Sequence, residues 1–317
     1  MSNKLSELQK SRLHNLEQKL DKCLLTRDFE TAKLLVLDIQ NLLRPLKKYP
    51  RLYQSKNKLI ELAIELNLIE FAITQLNAAR RVLKKNTRGY LEASALLAIC
   101  YLRNQSIPEA KLTIKEVLSN ESVIKSEKSR NVFHTEIINR FNEEIALCSL
   151  KSDFKASLDE QNIEEEAIKL LTSNSEKEIF TTLGRNTPSS TKDLIYIIHD
   201  FSTKQLTSKE RLALPSPVSK VEDCEVGITI YQAIKRVLYN SICNPESDIY
   251  KAWYNNGLEL VLSKNYIKST VIACCIDLGI GIPMIIASVI ALITKFGIEV
   301  FCETNKPKYI LEFRKLN

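Results

Sequence analysis

Three alanines set the first constraint on what this chain can fold into. Ala32, Ala72 and Ala110 close the segments Phe29-Glu30-Thr31-Ala32, Ile69-Glu70-Phe71-Ala72 and Ile107-Pro108-Glu109-Ala110, and they stand 40 and 38 residues apart. Each is followed four residues later by an apolar side chain: Val36, Leu76 and Ile114. Ala98 stands twelve residues before the last alanine, flanked by Leu97 and followed by Tyr101. Self-similarity at a period of this length marks stacked supersecondary units. Two antiparallel helices approach closely only where a side chain is no larger than alanine. The N-terminal half is therefore expected to be a stack of helix hairpins, each covering the apolar face of the next.

These positions resemble the tetratricopeptide pattern, in which small residues let the first helix of a repeat pack on the second. The resemblance covers about residues 20–120 and departs from the family in period, which there is 34 residues. The family's small residue early in the first helix is also replaced by Ile60 in the second repeat. An irregular helical bundle is the alternative architecture. The resemblance implies that the concave face of residues 20–150 binds a protein partner. Helical patterning continues: Phe133, Ile137, Phe141, Ile145 and Cys148 fall on one face of Val132–Leu150, and a further helix is expected near Ile163–Leu171. Both would cap the stack, and His134, off that face, reads as solvated.

Composition narrows the rest. Hydrophobic residues make up 44% and charged residues 26%, and the chain holds only 7 Gly and 9 Pro, which favours helices over a loop-rich β fold. The net charge of +7 is spread over 45 Lys+Arg and 38 Asp+Glu without a basic stripe, so nucleic acid is not an expected partner. Eight cysteines show no CxxC pair and no metal-ligand spacing with the three histidines. Most sit within apolar runs, where a free Cys behaves as a small hydrophobe, and the pattern suits a reducing compartment. The polar, amphipathic N-terminus lacks a signal-peptide core, and a cytoplasmic protein is expected. Self-association into a homo-oligomer stays open.

Residues 172–192 carry Ser, Thr, Asn, Gly and Pro with little periodicity, and Leu212–Val218 holds two prolines. The expected organisation is a repeat domain over 1–171, a linker with a short helix over 172–220 and a second domain over 221–317. Within the linker, Ile197-Ile198-His199-Asp200 followed by Gln205-Leu206 looks like the phospho-accepting helix of histidine kinases. His199 is the candidate acceptor, with the neighbouring acid to orient its ring. Only 41 positions separate it from the next motif residue, too few for the second helix such kinases carry, so a structural histidine is the stronger reading.

Further on, Ile228–Pro245 (ITIYQAIKRVLYNSICNP) is followed by Ser269–Pro283 (STVIACCIDLGIGIP) and by a tail of an apolar helix and two short apolar runs. In order, these segments resemble the histidine kinase-like ATPase family. The resemblance implies that Asn240 helps coordinate Mg²⁺ on the bound nucleotide. It implies that Asp277 ends a strand and meets the adenine, and that Gly279 and Gly281 form the tight turn beside the ligand. Leu258–Asn265, Ile298–Thr304 and Lys308–Arg314 then read as further strands, and Met284–Lys295 as a buried helix. The implied fold class is α + α/β: a helical-repeat solenoid followed by an α/β sandwich with a mixed sheet. The implied cofactor is ATP with Mg. Arg236 replaces the family's acid, and neither an ATP lid nor a second glycine box follows, so weak ATPase or kinase-like activity is less expected than an inactive scaffold.

The same residues carry a rival. Leu278–Thr294 runs 17 residues without a charge, at the lower edge of the about 17–25 that span a bilayer. Gly-x-Gly-x-Pro would interrupt such a helix at its start. The expected function is that of a cytoplasmic regulatory or signalling protein binding a partner through its repeats. The alternative is a membrane-anchored effector using 278–294.

Overall fold

The computed structural model describes residues 5–151, 158–205, 222–244, 247, 251, 264–306 and 308–314. Among them the chain is all-helical, with fourteen α-helices, two 3₁₀ turns and no strand. It divides into two compact units, residues 1–137 together with 308–317, and residues 138–307.

In the first unit, α1 (Glu7–Thr26) pairs with α2 (Phe29–Leu43), α3 (Tyr49–Glu65) with α4 (Ile69–Val82), and α5 (Arg88–Arg103) with α6 (Ile107–Ser119). The turn inside each hairpin is the same device. Arg27, Asn67 and Gln105 sit at φ of 57°, 61° and 57°, each five residues before a register alanine. The next N–H then bonds back across six residues: Asp28 to Cys23, Leu68 to Ala63 and Ser106 to Tyr101. This left-handed closure satisfies carbonyls that a helix end leaves open. Ala32, Ala72 and Ala110 are all fully buried, as are Leu76 and Ile114, with Val36 nearly so. The first helices α1, α3 and α5 also touch one another as a row. Ala98 is fully buried too, where α5 packs along α6. Ala98→Leu and Ala110→Leu should each lower stability by roughly 1–3 kcal/mol, the usual cost of overpacking. Unchanged thermal melting of both would place the register elsewhere.

Next comes α7 (Glu127–Leu150), preceded by a 3₁₀ turn at Glu121–Val123. Phe133, Ile137, Phe141, Ile145 and Cys148 are all buried on it, in the expected spacing. His134 departs from expectation. It is mostly buried and its Nδ1 lies 2.6 Å from a Glu121 carboxylate oxygen.

The second unit holds α8 (Glu160–Ser173), α9 (Glu176–Arg185), α10 (Ser189–Gln205), α11 (Asp223–Ile242), α12 (Lys264–Asp277), α13 (Pro283–Phe296) and α14 (Ile298–Thr304). The segment read as a linker with a short helix, 172–220, contains α9 and the whole of α10; the proline-bearing break at 212–218 lies outside the described residues. At the centre is α13, where every residue from Ile285 to Ile293 is buried against α8, α9 and α12. A helix apolar on all sides belongs in a core. It has 14 residues, and no helix among the described residues is long and apolar enough to cross a membrane.

The expected sandwich is corrected here. On α12, Ile267, Thr270, Val271, Cys274 and Cys275 are buried while Ala273, Ile276 and Asp277 are exposed. That three-and-four spacing is helical. On α14, Ile298 and Phe301 are buried and Val300 is exposed, which a strand would not allow, because residues 298 and 300 would share a face. Lys308–Arg314 holds a 3₁₀ turn, Ile310–Arg314, instead of a strand. Residues 258–263 of the other expected strand lie outside the described residues. A histidine kinase-like domain needs a sheet, so that resemblance does not hold.

Two further contacts fix the unit. Gly184 of α9 and Gly227 of α11 mark a crossing where backbone meets backbone. A Cβ on Gly184 would lie 1.7 Å from the Asp223 carbonyl oxygen, and one on Gly227 1.9 Å from that of Phe180. Cys243 and Cys302 form a disulfide joining the end of α11 to α14, which the expectation of a reducing compartment did not include. The remaining six are free, and Cys23, Cys100, Cys148, Cys274 and Cys275 are buried as small hydrophobes.

Candidate peptide-binding site

The sequence of α5, RGYLEASALLAICYLR, carries a single acid, Glu92, inside an apolar run. In α3, Glu61 likewise stands within an apolar run, Leu59-Ile60-Glu61-Leu62-Ala63, one turn before Glu65. A carboxylate in such surroundings is costly unless a partner meets it. Glu92 is 0% exposed and Glu61 2%. The partner of both is the last described segment of the chain, 222 and 249 residues away.

The 3₁₀ turn Ile310–Arg314 lies against α3 and α5, the first helices of the second and third repeats. The Ile310 N–H donates to Glu61 Oε1 at 2.7 Å. Arg314 meets Glu92 as a fork, Nε to Oε1 at 2.8 Å and Nη2 to Oε2 at 2.5 Å. Paired guanidinium–carboxylate bonds of this kind combine charge with fixed geometry. Arg88, one turn earlier on α5, donates a further bond to Glu92 Oε1 at 3.0 Å. Between these polar contacts Ile310 and Phe313 are buried, and the Phe313 ring meets Phe133 of α7 edge-on, centroids 6.4 Å apart. At the solvent edge Lys308 Nζ pairs with Glu136 at 2.9 Å. The turn is closed on itself by the Tyr309 N–H donating to Glu312 Oε2 at 3.0 Å. Burial, with Glu65 and Glu61 nearby, pushes the Tyr309 phenol well above its ordinary pKa, so it stays neutral.

The occupant is basic, and the face sets buried carboxylates beside Arg27, Arg88 and Arg103. Glu61, Glu65, Glu92 and Glu136 lie around residues 308–314, which carry Lys308 and Arg314 against Glu312. What it holds is a short peptide read at an aliphatic position, an aromatic three later and an arginine directly after.

The residues singled out from sequence lie elsewhere. Asn240 is half-buried on α11, and Asp277 is the exposed last residue of the helix α12, not the end of a strand. Gly279, at φ 72°, ends that helix: the Ile280 N–H closes back on the Cys275 carbonyl at 2.8 Å, a helix-capping turn. Gly281 follows in the short connection before Pro283 opens α13. Asp277, Gly279 and Gly281 thus form a helix-to-helix link, without the strand on which adenine contact depended. His199 falls on α10, and its side chain lies outside the described residues. Among the described residues no group of three or more His, Cys, Asp or Glu is placed to hold a metal ion. Glu61, Glu92, Ile310, Phe313 and Arg314 were not anticipated. Their signal was present as acids set inside apolar runs and an amphipathic YILEFR.

Among the described residues the chain is all-helical, and its repeat unit holds the chain's own residues 308–314. No known protein family, curated protein or solved structure matches the chain.

Proposed function

We propose that this chain is a regulatory protein whose repeat unit binds a segment of a protein partner on the row of its first helices. The observation that carries the reading is the occupied face itself. Buried Glu61 and Glu92 hold a basic, amphipathic turn through a backbone N–H and an arginine fork. Holding a peptide by its backbone and two anchors is a general mode of recognition, and hairpin repeats supply the extended surface for it. The all-helical repeat architecture suits protein–protein interaction and offers no strand-lined nucleotide pocket among the described residues.

Selection of random displayed peptides on the full chain tests this. Enriched peptides should carry an aliphatic, an aromatic and an arginine in the tail's spacing. A synthetic peptide of residues 306–314 should displace them, and Glu136→Lys should weaken them. Absence of enrichment, or enriched peptides indifferent to both, overturns the reading.

A further inference from the structure

The face on α3, α5 and α7 is filled by this chain's own tail, and that occupancy has a cost for any partner. Resting on the reading above, we propose that the tail is a displaceable internal ligand. The partner segment it gives way to is a basic peptide of the same pattern, with an aliphatic residue, an aromatic three positions on and an arginine next to it.

Three observations support displacement. The tail turn is five residues long, and a single 3₁₀ turn has little stability of its own. Its hold includes two buried apolar side chains, a backbone N–H to Glu61, the Arg314–Glu92 fork and the exposed Lys308–Glu136 pair. Opening of such a segment belongs to the low end of a protein's local stabilities. The third is on the receiving side. Glu92 stays paired with Arg88 when Arg314 leaves, at 3.0 Å from Nε to Oε1, so the open groove keeps a neutralised, preoriented carboxylate.

The chemistry of the contacts fixes what an incoming segment must offer. Glu92 takes both nitrogens of a planar guanidinium, a fit that lysine lacks. Phe133 presents its ring to the edge of another, which selects an aromatic over an aliphatic side chain at that position. Glu61 accepts from a backbone N–H, so a proline at the aliphatic position is excluded. The incoming peptide competes with a tethered one, whose effective concentration is on the order of millimolar for a short link.

The test uses a fluorescein-labelled peptide of residues 306–314, the full chain, and the full chain carrying Phe313→Ala with Arg314→Glu. Fluorescence anisotropy should show the doubly substituted chain binding the probe at least about tenfold more tightly than the unaltered chain, whose groove is mostly occupied. Lys308→Glu, at the exposed edge, should give a smaller gain. Probe with Arg replaced by Lys, or Phe by Leu, should bind the opened chain more weakly. Equal binding of the displayed peptides by unaltered and opened chains would keep the partner-binding face and discard the displaceable tail. No binding of any peptide to either chain would discard both. Loss of helical circular dichroism in the doubly substituted chain would also overturn the proposal, since the tail would then be a structural part of the unit.

Discussion

Gly227→Ala should lower the stability of the chain by about 3 kcal/mol or more, beyond the usual overpacking range. The added methyl would stand 1.9 Å from the carbonyl oxygen of Phe180, and neither partner is a side chain that can turn away. Relief requires α9 and α11 to move apart by more than an ångström. That opens Ile179, Leu183, Val226 and Ile230 in the shared core, all nearly or fully buried. Gly184→Ala meets the Asp223 carbonyl at 1.7 Å and should do the same. With a total stability of about 5–15 kcal/mol for a typical protein, such a loss is visible as a melting point lower by roughly 6–12 °C. The double substitution should cost less than the sum of the two, because one displacement of the helices relieves both clashes. Gly89→Ala is the control. Its Cβ would meet only Leu83 side-chain atoms at 3.8 Å, and in the first turn of α5 it should be neutral or stabilise by about 0.5–1 kcal/mol. A Gly227→Ala protein melting like the parent would mean that α9 and α11 do not cross there.

The second large effect concerns Cys243 and Cys302. Their bond closes a loop over a sequence separation of 59 residues, which by loop-closure entropy contributes about 4 kcal/mol to the oxidised protein. Cys243→Ser, or reductant added to the unaltered chain, should therefore lower the melting point by roughly 8–16 °C. The two treatments should not add, since either one removes the same bond. Cys148→Ser should leave the response to reductant intact, because that cysteine is free. A melting point indifferent to reductant, in protein shown by thiol titration to be oxidised beforehand, would place the stability of this unit elsewhere.

What the sequence by itself determined is local and repeated. The alanine register, the apolar residue one turn on and the helical face of α7 are all patterns within one helix or one hairpin, and each recurs in the structure at the residues that carry it. Repetition made the signal strong, because three copies of Ala-x-x-x-apolar at nearly constant spacing leave little room for another period. In the second unit the same kind of reading failed for a physical reason. Short apolar runs such as Val271–Cys275 and Ile298–Cys302 are too brief to tell period 2 from period 3.6 when a core surrounds them. The motif Asp-Leu-Gly-Ile-Gly-Ile-Pro was equally ambiguous. A left-handed glycine that ends one helix and a proline that opens the next have the same spelling as a strand turning into a ligand loop. The close crossing at Gly184 and Gly227 was beyond local pattern altogether, since each glycine owes its identity to a helix some 40 residues away. The candidate site shows the limit most plainly. Glu61 and Glu92 were legible as acids in the wrong place, but a turn 249 and 222 residues further along the chain supplies a backbone N–H to one and an arginine fork to the other, and only the tertiary fold brings that turn to them.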